Sequence, residues 1–306
     1  MARMPTAAKT GPTPTLAYCD VLSDDGTRLR AWTNDAEGVI DGPTVVLCNG
    51  LGTSAWTWPA LLEPDCGVRV VSWYHRGTGG SDRPADPSRV HIEEFVEDGL
   101  SVMDAFGIDR AVLAGWSMGV NTAFELAFRH PERVTGLFAV AGVPGDTFAT
   151  MLAPLRVPRP VARLLTVNFA RTLKYAGRGL TPIARRLPVG RKAAAVVSHS
   201  GFMLPVPDLD NTATAIREFL ATPVEWYMHL ALTTSEHARV SLSGIRVPVA
   251  FVAGTYDLLA GARDMASAAA RIDGATYVEL RGSHFIAMEQ PDVVHDLLLR
   301  FLDRVG

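Results

Sequence analysis

The chain has 306 residues, 48% of them hydrophobic and 20% charged, with a formal net charge of −3. That balance excludes a disordered or fibrous chain and leaves enough sequence to bury a core without metals or disulfides. It gives no global attraction to nucleic acid, and no uncharged apolar run approaches the roughly 20 residues needed to span a bilayer.

Residues 1–15, rich in Pro, Thr and Ala, lack an apolar signal region and read as a flexible arm. The segments LAYCDVL (16–22) and RLRAWT (28–33) flank the turn signal SDDG and predict a β-hairpin. TVVLCNG (44–50) and VRVVSW (68–73) predict two more strands, the second running into the glycine-rich YHRGTGGSDRP. Over 91–107, Ile92, Phe95, Val96, Leu100, Met103 and Phe106 recur at helical spacing. RAVLAG (110–115) predicts a buried strand, MGVNTAFELAFRH a helix closed by Pro131, and RVTGLFAVAG (133–142) another strand. This alternation predicts a mostly parallel sheet with helices on both faces and its chemistry at the C-terminal ends of the strands.

The pattern breaks over 146–243, which shows only helical pieces punctuated by proline. Residues 151–200 hold ten Arg or Lys and no Asp or Glu. The α/β pattern resumes with RVPVAFVAG (246–254), a helix around 260–271, TYVEL (276–280) and a final helix over 291–304. The chain therefore reads as one α/β core, 16–145 and 244–306, interrupted by a helical cap at 146–243.

In VLAGWSMG, Ser117 stands between Gly115 and Gly119 where a strand turns directly into a helix. A turn that sharp packs backbone on backbone, so side chains at 115 and 119 would clash. It lifts the serine oxygen above the sheet edge and frees the Met118 amide, at a helix N-terminus, to donate to an oxyanion. A serine needs a base to be a useful nucleophile. VAGTYDLLA (252–260) places Asp257 just past a strand, and ELRGSHFIAMEQPD (279–292) places His284 in the loop before the last helix. A carboxylate would fix the imidazole tautomer while the other ring nitrogen takes the serine proton. Asp146, after the preceding strand, is the rival acid.

Four features together resemble the α/β-hydrolase superfamily: the Asn49-Gly50 loop, RGTGGS (76–81), GWSMG, and the paired GTYD and GSHF…E.P segments. The resemblance covers about 20–145 and 244–306. It implies an eight-stranded, mostly parallel sheet flanked by helices, and the order Ser117, Asp257, His284 is the one this fold uses. It also implies that the Leu51 amide joins that of Met118 in an oxyanion hole. Two positions depart from the family: Asn49 replaces a usual histidine, and Tyr74 replaces an aspartate often found two residues before the glycine-loop arginine, Arg76. The loop around Arg76 is expected to be structural.

Other residues read as ordinary packing or surface. His75, His130 and His295 fall in this class, as do Trp56 and Trp58, and Trp116 is expected to pack under the serine. His199, His229 and His237, in or near the insertion, are weaker candidates for touching substrate. Cys19, Cys48 and Cys66 make a poor disulfide framework and read as reduced thiols of a cytoplasmic protein. No CxxC or HExxH spacing is present, so no metal and no cofactor are expected.

The expected activity is that of a serine hydrolase cleaving carboxylic esters of lipophilic small molecules through an acyl-enzyme. Lactone hydrolysis, C–C bond hydrolysis, cofactor-free perhydrolysis and a non-catalytic ligand-sensing receptor are the alternatives. Haloalkane dehalogenases and epoxide hydrolases of the superfamily use an aspartate at the elbow, and Ser117 argues against both. The basic insertion fits a solvated face, a peripheral contact with anionic membrane or attraction of an acidic substrate. Oligomeric state is not legible.

Overall fold

The computed structural model describes residues 16–145, 147–237 and 241–306. The arm at 1–15, the rival acid Asp146 and residues 238–240 lie outside the described residues.

Eight strands form one sheet: β1 (Ala17–Leu22), β2 (Arg28–Thr33), β3 (Thr44–Cys48), β4 (Arg69–Trp73), β5 (Ala111–Trp116), β6 (Val134–Val140), β7 (Val249–Gly254) and β8 (Thr276–Leu280). Their order is β1-β2-β4-β3-β5-β6-β7-β8. The hairpin β1–β2 and the β2–β4 pair are antiparallel, and all later pairs are parallel. Central strands are apolar on both faces because helices cover both. β5 shows this: Leu113 enters one core with Phe124 and Phe251, and Val112 and Ala114 enter the other with Phe138 and Phe301.

The helices that sandwich the sheet are α1 (Ile92–Ala105), α2 (Gly119–Arg129), and three that follow the insertion. Within the insertion stand α3 (Thr147–Thr150), α4 (Arg159–Arg186), α5 (Arg191–Ser198), α6 (Leu209–Ala221) and α7 (Val224–Thr234). Then come α8 (Ala262–Ala269), α9 (Ile286–Glu289) and α10 (Pro291–Val305). Helix α1 begins where the Glu94 carboxylate accepts the His91 amide at 2.8 Å, and α6 where Asp208 accepts the amides of Asp210 and Asn211. Among the described residues no helix is long and apolar enough to cross a membrane.

The inserted helices fasten to the core through buried or half-buried polar contacts. Glu218 on α6 accepts the Trp56 indole at 3.1 Å and the Tyr74 hydroxyl at 3.3 Å. Trp226 on α7 donates to the Arg76 carbonyl at 2.8 Å, and Asn211 donates to the Trp56 carbonyl at 2.7 Å. Arg76 itself is fully buried and binds both oxygens of Asp98, the Ser23 hydroxyl and Asp25. A buried cation this fully paired fixes the glycine-rich loop rather than facing a ligand.

Candidate active site

Strand β5 ends at Trp116, and the chain reverses into α2 within two residues. Ser117 takes φ +56°, the left-handed region that strains a residue with a side chain. Packing on either side maintains that strain. A Cβ on Gly119 would lie 1.8 Å from the Cys48 carbonyl oxygen, and one on Gly115 would lie 2.9 Å from the Val120 Cα. Gly119 therefore lets α2 begin directly against the end of β3, and Gly115 lets β5 pack closely on the first turn of α2. The turn is also stitched from within: the Ser117 amide donates to the Val140 carbonyl at 3.1 Å, and the Val120 amide donates to the Ser117 carbonyl at 3.1 Å.

The loops after β7 and β8 converge on this turn. Asp257 is fully buried, and its Oδ1 accepts the amides of Leu259 and Ala260 at 2.7 and 2.8 Å. His284 Nδ1 lies 3.0 and 2.9 Å from the two Asp257 oxygens, and His284 Nε2 lies 2.7 Å from Ser117 Oγ. With Nδ1 donating to the carboxylate, Nε2 is left as the acceptor for the serine proton. The His284 loop is anchored by Glu289, which accepts the Ser283 amide and hydroxyl and, at 2.8 Å, the amide of Leu204 in the insertion.

On the opposite side runs the loop after β3. The Asn49 side chain organises it: Nδ2 donates to the Ser54 carbonyl at 3.0 Å, and Oδ1 accepts the Gly50 amide at 3.0 Å and the Trp58 indole at 3.2 Å. Asparagine thus supplies the donor and acceptors that close this loop. Among the described residues, neither the Leu51 nor the Met118 amide donates to a protein acceptor. Both residues line the same cavity as Ser117 and His284.

That cavity measures about 340 Å³ and lies between the sheet edge and the inserted helices. Its wall includes Phe148, Met151, Phe202, Ile216, Phe219 and Met288. Among the described residues no Asp, Glu, Lys or Arg lines it. Ser117 meets His284 and the lining threonines meet protein partners, so Tyr227 has the lining hydroxyl that meets none among the described residues. Burial pushes its phenol up to about 12, so it stays protonated at neutral pH.

A family model described as alpha/beta hydrolase fold matches residues 43–180. The chain carries the alpha/beta hydrolase fold. It is 28% identical to epoxide hydrolase A of Mycobacterium tuberculosis, over 92% of its own length and 96% of that protein. It is 32% identical to epoxide hydrolase B of the same organism, but there the match spans only 42% of this chain and 39% of the relative. Among solved structures it is similar to the enol-lactonase from Burkholderia xenovorans LB400, with a TM-score of 0.69, 27% identity, and coverage of 94% and 100% of the two chains.

The fold brings Ser117, Asp257, His284, Leu51 and Met118 to one end of the sheet. It keeps the other singled-out residues away: none of His75, His130, His199, His229, His237 and His295 lines the cavity. His229 instead bridges Lys174 and the Pro87 carbonyl. Trp58 is buried on Asn49, Trp56 is spent on Glu218, and Trp116 packs beside the imidazole with ring centroids 5.6 Å apart. Sequence reasoning assigned no role to Glu289, Glu218 or Tyr227. Glu289 carried a signal, since it stands in the GSHF…E.P segment. The partners of Glu218 are 144 and 162 residues away, and nothing local announces them.

Proposed function

We propose that this hydrolase cleaves neutral, lipophilic carboxylic esters through a Ser117–His284–Asp257 triad. The observation that carries the proposal is the 2.7 Å contact from His284 Nε2 to Ser117 Oγ, made beside two unpaired amides and an apolar cavity. In this reading the Ser117 oxygen attacks the carbonyl carbon and His284 takes its proton. The amides of Leu51 and Met118 receive the developing oxyanion. Collapse breaks the ester bond, and His284 returns the proton to the departing alcohol. His284 then deprotonates water, which attacks the acyl-enzyme; the bond to the Ser117 oxygen breaks, His284 returns the proton to that oxygen, and the acid leaves. Asp257 holds the imidazole tautomer and offsets its positive charge.

The inserted segment acts as a cap that supplies half of the residues lining the cavity. Burying alkyl or aryl groups there favours binding by about 25 cal/mol per Å², whereas a charged group would lose its hydration with no partner to compensate. A serine at the elbow supports acyl chemistry over the epoxide chemistry named for two relatives. Lactone hydrolysis is the second reading. It is favoured by the likeness to an enol-lactonase over nearly the whole chain, and it uses the same bond changes with the alcohol tethered to the acid.

A panel of aryl esters of rising acyl length, with lactones alongside, tests the proposal. Turnover is expected for neutral substrates and not for those carrying a carboxylate near the acyl carbonyl. Ser117→Ala is expected to keep the fold and lose turnover. Asp257→Asn is expected to lower kcat by about four orders of magnitude through the wrong imidazole tautomer. Full activity in Ser117→Ala would overturn the mechanism. Tight binding of a lipophilic ligand with no turnover of any ester or lactone would make the protein a receptor.

A further inference from the structure

We propose that the outward face of α4 docks this protein on an anionic lipid bilayer. The 28-residue helix buries Ala162, Ala170 and Gly177 toward the other inserted helices. Its opposite side presents Val161, Leu164, Leu165, Phe169, Tyr175 and Ile183, which are between 45% and 86% exposed. At about 3.6 residues per turn, these six span the side away from Gly177. Arg163, Lys174, Arg185, Arg178 and Arg171 fall along one flank of them, within roughly a quarter turn. Of these, Lys174 also meets His229 Nδ1 and Arg185 donates to the Ala221 carbonyl, whereas Arg186 stands at the C-terminal end of the apolar side itself. An apolar stripe with a basic border is the geometry of a helix lying in the headgroup region: its apolar side chains enter the acyl boundary while long cationic side chains reach the phosphates.

The charge pattern selects the occupant. Residues 151–200 hold ten cationic side chains and no carboxylate, although the whole chain is net negative. A second copy seated on this face would set like charge against like charge. An anionic bilayer answers both features at once, with apolar depth for the leucines and phenylalanine and negative charge for the border. Arg171 and Arg186 have no ion pair or hydrogen bond among the described residues, so they are not spent inside the fold. Six large apolar groups gathered on one exposed helix side also exceed the scattered singles that need no explanation. The docking does not depend on the catalytic reading.

Co-sedimentation of the full chain tests the inference. It compares vesicles of equal parts phosphatidylcholine and phosphatidylglycerol with vesicles of phosphatidylcholine alone. Binding is expected to the anionic vesicles only, at low ionic strength, and to fall as salt shortens the screening length toward about 3 Å at 1 M. Arg171→Glu with Arg186→Glu is expected to weaken binding by about tenfold or more. Leu165→Ser with Phe169→Ser is expected to weaken it comparably, since both stripe and border contribute. Circular dichroism and Tm identify a misfolded pair, and the other pair then decides. Folded wild-type protein that ignores anionic vesicles would overturn the inference, as would undiminished binding by the charge-reversed variant. A wild-type dimer dissociated by Leu165→Ser with Phe169→Ser would assign the face to a second copy and also overturn it.

Discussion

The indole of Trp116 donates to the main-chain carbonyl of His284 across 3.0 Å. It ties the residue before the elbow to the residue that carries the imidazole, 168 positions away in sequence. Because the same ring packs beside that imidazole, Trp116 sets the separation of Ser117 and His284 without touching the bond being cleaved. Trp116→Phe keeps an aromatic ring and removes the donor. It is expected to cost about 1 kcal/mol of stability in denaturant unfolding. A small displacement of the base is expected to lower kcat about ten- to hundredfold with little change in KM. A change in KM alone would mean that Trp116 shapes the pocket and not the pair.

Ala231 on α7 lines the cavity and adds almost no bulk to it. Ala231→Phe would fill part of the space reserved for a long acyl or alkyl group. The KM of a decanoyl aryl ester is expected to rise about tenfold or more, with the acetyl ester staying within about twofold. Equal effects on both esters would place the long chain elsewhere.

His75 is buried against Phe95 with ring centroids 4.8 Å apart, and its Nδ1 has no partner among the described residues. Burial pushes the imidazole down to about 4. An unfolded histidine titrates near 6.5. As the pH falls from about 6.5 to about 4, the unfolded chain takes up a proton that the native chain does not. Stability contributed above that window is therefore lost within it, on the order of 3 kcal/mol. His75→Leu cannot titrate. The unfolding free energy of wild type minus that of the variant, measured in urea, is expected to decline by that amount on acidification across the window. A constant difference would show that His75 titrates normally in the fold.

How much of this could be read from sequence depended on the range of each constraint. The elbow is local: Gly115 and Gly119 state a steric requirement within five residues, and strand and helix patterns flank it. Asp257 and His284 are distant, but each lies just past a strand, and parallel strands deliver all such loops to one sheet edge. The Glu218 contacts with Tyr74 and Trp56 carried no sequence signal because they depend on how the inserted helices lie over the core. Asn49 appeared as a departure from a family residue, and only its partners Ser54, Gly50 and Trp58 explain how the loop closes without histidine. The short helix Ile286–Glu289 was missed because four residues are too few to display a period. The exposed side of α4 was ambiguous for a related reason: a basic, leucine-containing helix has the same pattern whichever face it buries.

The most direct test of the central claim is covalent. A fluorophosphonate that reacts only with an activated serine is incubated with the protein, and intact mass and peptide mapping follow the adduct. The account predicts one phosphonyl group per chain on the Ser117 peptide, formed rapidly and absent from Ser117→Ala. Ester turnover by wild-type protein that leaves Ser117 unlabelled, or equal labelling of the Ser117→Ala variant, would contradict it.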